Sequence, residues 1–257
     1  MKKKTKKWIK YRHKVVRNIL YLSLGPYAKF KYGLKADRFS GQGKRAYLVL
    51  YNHQTPFDQF FVGMSFKGAV YYLATEDIFS LGFLSDLIRF LVAPIPIVKQ
   101  TNDLNAVKTC LRVAREGGTI AIAPEGNRTY SGKTEYINPA IVKLARKIGL
   151  PIALYRIEGG YGAEPRWSDV VRKGSVHAFV SRVIEPEEYA QMDNDALLKA
   201  IEEGLYVNEG CQSGLFLSDR KAEYLERAIY VCPCCGLSIF KSEGDIITCQ
   251  KCQRQIK

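Results

Sequence analysis

The stretch "AYLVLYNHQTPFDQFFVGMSF", residues 46–66, decides the fold. "AYLVLYN" is an apolar run of strand length. A polar turn with Pro56 follows, and Asp58 is placed to open a short apolar helix, "DQFFVGMSF". A strand feeding a helix through a tight turn is the repeating step of an α/β domain. The turn also carries His53, one of three histidines, in a His-x4-Asp spacing with Asp58. A carboxylate so placed can bond one ring nitrogen, fix the tautomer and stabilise the imidazolium, leaving the other nitrogen free to take a proton. Two unrelated loop residues can share the same spacing, so the pair needs a second element beside it.

Outward from this stretch the alternation continues. "AVYYLA" (69–74), "PIPIV" (94–98), "TIAIA" (119–123), "PIALYRIEG" (151–159) and "SVHAFVSRVI" (175–184) read as strands or short extended pieces. Residues 76–93 are nearly all apolar and read as a helix, buried or dipping into lipid. Residues 102–118 form the best helical pattern, with Leu104, Val107, Leu111 and Ala114 on one face and Gly117 and Gly118 closing it. A helix over 138–149 has Asn138 as N-cap, Pro139 in its first turn and Gly149 as terminator, and another runs over 193–206. "GQGKR" (41–45) reads as a hinge-like boundary. The fold class is α/β, a mixed, substantially parallel sheet flanked by helices. Its 257 residues suffice for one large domain and a small appendage. The expected division is 1–45, a basic membrane-binding segment; 46–227, the main domain; and 228–257, a zinc-ribbon-like tail.

Charge is uneven. Residues 1–45 hold 15 Lys or Arg and a single acid, Asp37, while the rest holds 24 basic and 24 acidic residues. Such a segment seeks an anionic membrane or a nucleic acid, or is a solvated tail. On a helical wheel Tyr11, Leu22, Val15, Trp8, Ile19, Val16, Ile9 and Leu20 share one broad face. Lys10, Lys14, Arg17 and Asn18 lie opposite, with Arg12 intruding. A basic amphipathic helix of this kind suits a membrane interface, or docks on the body. No uncharged apolar run reaches about 18 residues, so no transmembrane span is expected. The charge-studded start is not that of a secretory signal.

The tail "CPCCGLSIFKSEGDIITCQKC" (232–252) pairs Cys232 with Cys235 and Cys249 with Cys252, each as C-x2-C. Four thiolates on two tight turns suit a structural zinc, and a rubredoxin-like iron centre would use the same ligands. Disulfides are disfavoured without a secretion signal. Cys234, a fifth thiol, can stand in for Cys235. Cys110 and Cys211 read as ordinary buried residues.

The second element is "APEGNRT" (123–129), at the end of another apolar strand. Gly126 permits close backbone approach and Arg128 offers a planar fork for a phosphate. Two turns at the ends of neighbouring parallel strands share the crevice where α/β sheets place ligands. A base in one and an anion clamp in the other describe acyl or phosphoryl chemistry on an anionic substrate.

"NHQTPFD", then "APEGNRT", then "LPIALYRIEG" resembles, over roughly residues 40–190, the lysophosphatidic acid acyltransferase family of glycerolipid acyltransferases. The resemblance implies that fold, with His53 as general base and Asp58 as its orienter. It implies an acyl thioester of coenzyme A or acyl carrier protein as donor and a lysophospholipid as acceptor. Arg128 would bind the acceptor's phosphate, Glu125 and Gly126 would shape the turn, and no covalent acyl-enzyme or organic cofactor is needed. The sequence departs from the family in three places. Ala74 and Thr75 stand where a Lys is usual, Lys99 stands where an Arg is usual, and Ala123 and Asn127 stand where an aromatic and a Thr are usual. The expected location is the cytoplasmic face of the cell membrane, peripheral or monotopic, with anionic lipid as partner. The competing class is a nucleic-acid-binding protein built on the basic arm and zinc ribbon, and the two motif turns favour the enzyme. A catalytically dead scaffold is a third reading, disfavoured by the intact His53, Asp58, Glu125 and Arg128.

Overall fold

The computed structural model describes residues 7–75, 82–98, 103–211 and 215–257. Seven strands form one sheet: β1 (Leu34–Ala36), β2 (Leu48–Tyr51), β3 (Val70–Thr75), β4 (Ile95–Ile97), β5 (Thr119–Ile122), β6 (Ile152–Glu158) and β7 (Val176–Ile184). Their order is β1-β7-β6-β2-β5-β3-β4. Only the β6–β7 pairing is antiparallel, so the sheet is mixed and mostly parallel. The helices are α1 (Tyr11–Tyr32), α2 (Asp58–Ser65), α3 (Phe83–Val92), α4 (Leu104–Arg115), α5 (Ala140–Ile148), α6 (Gly160–Ala163), α7 (Pro186–Ala190) and α8 (Asn194–Leu205).

The central strands β2 and β5 are buried along their length. Alternate side chains therefore feed two cores. Leu48, Leu50, Ile120 and Leu154 pack with Cys110 and Val113 of α4, Ile141 of α5 and Leu197 and Ile201 of α8. Val49, Tyr51, Ala121 and Tyr155 pack on the other face with Ala28 and Tyr32 of α1 and Phe61 and Val62 of α2. The buried row of α4 is Ala106, Cys110 and Val113. Leu104, expected on the core face, is exposed because the helix is rotated toward its small residues. Asn138 accepts the Ala140 N–H at 2.9 Å, and Gly149 ends α5 in the left-handed conformation.

Three local expectations are corrected. The helix at the start begins at Tyr11, so Trp8 and Ile9 are not on its exposed face. Their N–H groups are held by the Glu116 carboxylate at 3.1 and 2.9 Å, and the Trp8 indole donates to the Ala93 carbonyl. These bonds dock the start of the chain on the body. The "GQGKR" stretch is no hinge, because the Gln42 amide is buried and bonds both the N–H and C=O of Lys67. Cys211 is exposed, whereas Cys110 is buried as expected. Beyond α1, Gly33 takes φ 59°, and a Cβ there would meet the Gly174 carbonyl oxygen at 2.0 Å. This close approach turns the chain directly into β1, which lies within the 1–45 segment and pairs with β7.

The tail is a small β ribbon: β8 (Val231–Cys232), β9 (Gly236–Leu237), β10 (Phe240–Glu243), β11 (Ile246–Cys249) and β12 (Gln255–Ile256). Phe240, Ile247, Cys232 and Cys249 are its buried residues. Its base is fastened by the Arg227–Asp169 ion pair and by Tyr130 Oη donating to the Arg227 carbonyl at 2.6 Å.

The end of β2 is fixed by Asn52. Its amide donates to the Ile157 carbonyl at 2.8 Å and accepts the Ile157 N–H at 2.7 Å, both buried. Asn52→Ala leaves this backbone pair unsatisfied, at about 1–3 kcal/mol per group. A lower unfolding free energy is expected in denaturant titrations; an unchanged value would mean that water replaces the amide.

Candidate active site

The residue after Asn52 is His53, and the chain turns at once into α2. Asp58 organises that turn. Its fully buried carboxylate accepts from His53 Nδ1 at 2.8 Å, from the Gln54 N–H, from the Thr55 N–H at 3.0 Å and from Thr55 Oγ1 at 2.8 Å. Thr55 Oγ1 in turn accepts the Phe57 N–H at 3.1 Å. Thr55 and Asp58 thus bond each other in the turn that leads into α2, whose N-cap residue, Phe57, has no side-chain cap. All of Asp58's partners are donors, which suits a carboxylate and puts the ring proton of His53 on Nδ1. Nε2 has no hydrogen-bond partner among the described residues, and the His53 side chain keeps 16 % of its surface exposed. The other two histidines differ. His13 is buried against Tyr71, its pKa lowered by burial first and then by Arg12 and Lys10. His177 pairs with Asp37 where β7 meets the edge strand β1.

The "PEGNRT" turn follows β5, the neighbour of β2, and meets the first turn directly. Glu125 Oε1 accepts the His53 N–H at 2.8 Å and Oε2 accepts the Glu135 N–H at 2.7 Å. The Thr129 N–H donates to the His53 carbonyl at 2.8 Å. The backbone of His53 is therefore clamped from both sides. Gly126 makes the turn at φ 72°. Arg128 has no ion-pair partner among the described residues; its carbonyl accepts from Arg166 Nη1 at 3.0 Å. Gln54 holds a third segment by accepting the Tyr161 N–H at 2.8 Å. His53, Asp58, Glu125 and Gly126 thus come together at one edge of the sheet, with the Arg128 turn beside them. Lys99 lies outside the described residues. Sequence reasoning passed over Asn52, Gln54, Thr55 and Glu135. A signal existed only for Thr55, in its Thr-x-x-Asp spacing to Asp58.

Beside α2, an apolar cavity of about 230 Å³ opens between α1 and β3, lined by Leu20, Phe60, Met64, Val70 and Val92. Its wall includes Gln59, the residue after Asp58.

In the ribbon, the Sγ atoms of Cys232, Cys235, Cys249 and Cys252 all lie within 4.8 Å of one another. The closest pairs, Cys232–Cys252 and Cys235–Cys249, are 3.6 and 3.5 Å apart. Four Zn–S bonds of about 2.3 Å in a tetrahedron place sulfurs about 3.8 Å apart, so the cluster fits such an ion. Cys234 is not part of it; its sulfur accepts from Arg254 Nη1 at 2.6 Å.

Residues 34–156 match the family model "Acyltransferase", a span that holds both motif turns. That span, just under half of the chain, is similar to the acyltransferase family. The fold is similar to the crystal structure of the 1-acyl-sn-glycerophosphate (LPA) acyltransferase, PlsC, from Thermotoga maritima. The TM-score is 0.62 at 20 % identity, over 76 % of this chain and 78 % of that one. No curated protein matches the sequence. Both findings agree with the resemblance of the motif blocks, and the protein is an acyltransferase with a glycerolipid acyltransferase fold.

Burial pushes the Glu125 carboxyl up to about 7, against the two backbone N–H groups that favour its charged form. A raised native pKa makes the group's contribution to stability complete below its ordinary value of 4.5 and lost as pH rises through about 7. Wild type should therefore lose stability relative to Glu125→Gln between pH 4.5 and 7. Glu209, also raised to about 7 by burial, is common to both proteins and cancels. Denaturant midpoints at pH 5 and pH 8 measure the difference; parallel shifts in the two proteins would refute it.

Proposed function

We propose that the protein is a membrane-associated enzyme that transfers a fatty acyl group from an acyl thioester of coenzyme A or acyl carrier protein to the free hydroxyl of lysophosphatidic acid, in phospholipid biosynthesis. The observation that carries this is the His53–Asp58 pair, 2.8 Å apart, at a parallel strand end. His53 Nε2 takes the proton of the acceptor hydroxyl as its oxygen attacks the thioester carbonyl carbon. The tetrahedral intermediate collapses, the C–S bond breaks, and the imidazolium returns its proton to the departing thiolate. Asp58 holds the ring and stabilises its positive charge throughout. Arg128, without an ion-pair partner among the described residues, supplies a fork for the acceptor's phosphate. Lys99, outside the described residues, is in this reading a second, monodentate cation for the phosphate. The apolar cavity along α2 suits part of an acyl chain. The similar T. maritima protein is named as an LPA acyltransferase, which supports the choice of acceptor.

Membrane association is supported by an exposed apolar stripe. Tyr11, Val15, Ile19, Leu22 and Phe30 of α1 face solvent, and the neighbouring α3 exposes Phe83, Leu87 and Phe90. Arg12 ties the two helices, with its guanidinium 4.0 Å from the Phe90 ring centre and Nε 2.7 Å from the Phe90 carbonyl. No helix among the described residues is long and apolar enough to cross a membrane. The stripe and the basic N-terminal segment suit peripheral docking on the anionic cytoplasmic face of the cell membrane.

Purified protein should acylate lysophosphatidic acid in preference to other lysolipids when tested with both donor carriers. His53→Ala should lower turnover by about 10²–10⁴-fold with an unchanged circular dichroism spectrum. Asp58→Asn should leave weak activity. Folded His53→Ala with near wild-type turnover would refute the mechanism.

The ribbon, in the same reading, holds one structural zinc on Cys232, Cys235, Cys249 and Cys252. Four thiolates leave no open coordination position, so the ion supplies folding free energy and not chemistry. Elemental analysis should give close to one zinc per chain. Cys249→Ser/Cys252→Ser should lose the metal and lower the melting temperature while keeping turnover per folded molecule. Iron in its place, or metal content indifferent to the substitution, would overturn the assignment.

A further inference from the structure

We propose that the edge of the sheet opposite His53 carries a second anion site, a cleft that takes a phosphomonoester group. Strands β2, β5 and β3 run parallel, and their carboxyl ends lead to His53, to Glu125 and toward α3. The segments that enter the same strands, 43–45, 117–119 and 67–69, gather at the other edge, and the start of α1 crosses them. Four residues of β2, about 13 Å of rise, separate the two edges.

Between these segments lies a cleft of about 420 Å³, within the range of about 300–1,000 Å³ typical of small-molecule sites. Lys10, Lys14, Lys44, Arg45 and Lys67 line it, and among the described residues no Asp or Glu does. Arg45 is engaged by Glu185. Lys10, Lys14, Lys44 and Lys67 have no ion-pair partner among the described residues. The nearest acid in sequence, Glu116, is already spent on the N–H groups of Trp8 and Ile9 and on Arg112. A concave site lined by one sign of charge focuses the field and concentrates counter-ions. Four lysines suit a dianion with several oxygens, since each ammonium is a rotatable point-charge donor.

The backbone agrees with the side chains. Gly43, Gly68 and Gly117 leave open space at the rim, where a Cβ would meet nothing within 4 Å. The 22-residue α1 begins at the cleft with no acid in its first turn and no side-chain cap. Its positive end therefore adds to the same field. Tyr11 both lines the cleft and opens the exposed stripe of α1. A lipid headgroup can therefore reach the cleft if the membrane docking proposed above holds. The anion site itself does not rest on that docking.

Full-length protein titrated with glycerol 3-phosphate should show saturable binding by calorimetry and by Trp8 fluorescence. Lys44→Gln/Lys67→Gln should weaken it at least tenfold, and Lys44→Glu/Lys67→Glu should abolish it. With the titrations made in an Arg128→Ala background, so that the fork proposed for the acceptor's phosphate does not contribute, the charge-matched Lys143→Glu/Lys147→Glu on α5 should leave it within twofold. Phosphatidylcholine vesicles carrying phosphatidic acid or phosphatidylglycerol at equal surface charge separate the two sources. A preference for phosphatidic acid that Lys44→Gln/Lys67→Gln abolishes identifies a lipid headgroup. Saturable glycerol 3-phosphate binding without that preference identifies a soluble ester. No saturable binding in the Arg128→Ala background, or equal weakening in the α5 control, overturns the site. The readout is binding and not turnover, so its outcome is separate from that of the acyl-transfer assay.

Discussion

The buried carboxylate of Asp58 is the constraint on which the rest depends. A charge removed from water is tolerated only where donors replace the solvent, and here the ring, two backbone amides and a hydroxyl converge on it. The same four donors start α2, shape the turn and aim His53. Fold and chemistry share one group at this point. Moving the acid by one residue would lose the bonds that hold the turn as well as the orientation of the ring.

The clamp extends to the neighbouring strand. Glu125 joins the His53 amide to the Glu135 amide, and Asn52 joins the end of β2 to β6. The candidate base thus stands on three segments far apart in sequence, each fixed by a polar pair. Polar networks of this kind are costly when incomplete and rigid when complete. Rigidity serves an imidazole whose Nε2 must meet a hydroxyl at hydrogen-bond distance.

Much of this was legible in the sequence, for definable reasons. β2, β5 and β6 are continuous apolar runs because both their faces are covered, and such runs stand out from polar loops. The His53 and Glu125 turns follow those runs, so their meeting at one edge follows from parallel pairing. The ribbon's thiols are legible because metal spacing is local. Trp8 and Ile9 misled because their apolar side chains continue the helical wheel, while the Glu116 carboxylate, 107 or more residues away, ends the helix by taking their amides. Leu104 misled because periodicity gives a face, not its rotation. Gln54 and Glu135 carry no sequence signal at all; their roles exist only through backbone amides brought close by the fold.

A parallel sheet also sorts charge. Every strand that ends at the catalytic edge begins at the other, so residues that precede strands and residues that follow them cannot mix. Here the segments that follow strands supply His53, Asp58 and Glu125, and those that precede them supply Lys44, Arg45 and Lys67. The cations that α1 adds, Lys10 and Lys14, join the second group because the helix starts at that edge. The basic excess of residues 1–45 is therefore not wholly a diffuse cloud on a tail. Part of it is held by the fold in a concave place, at the edge of the sheet away from His53.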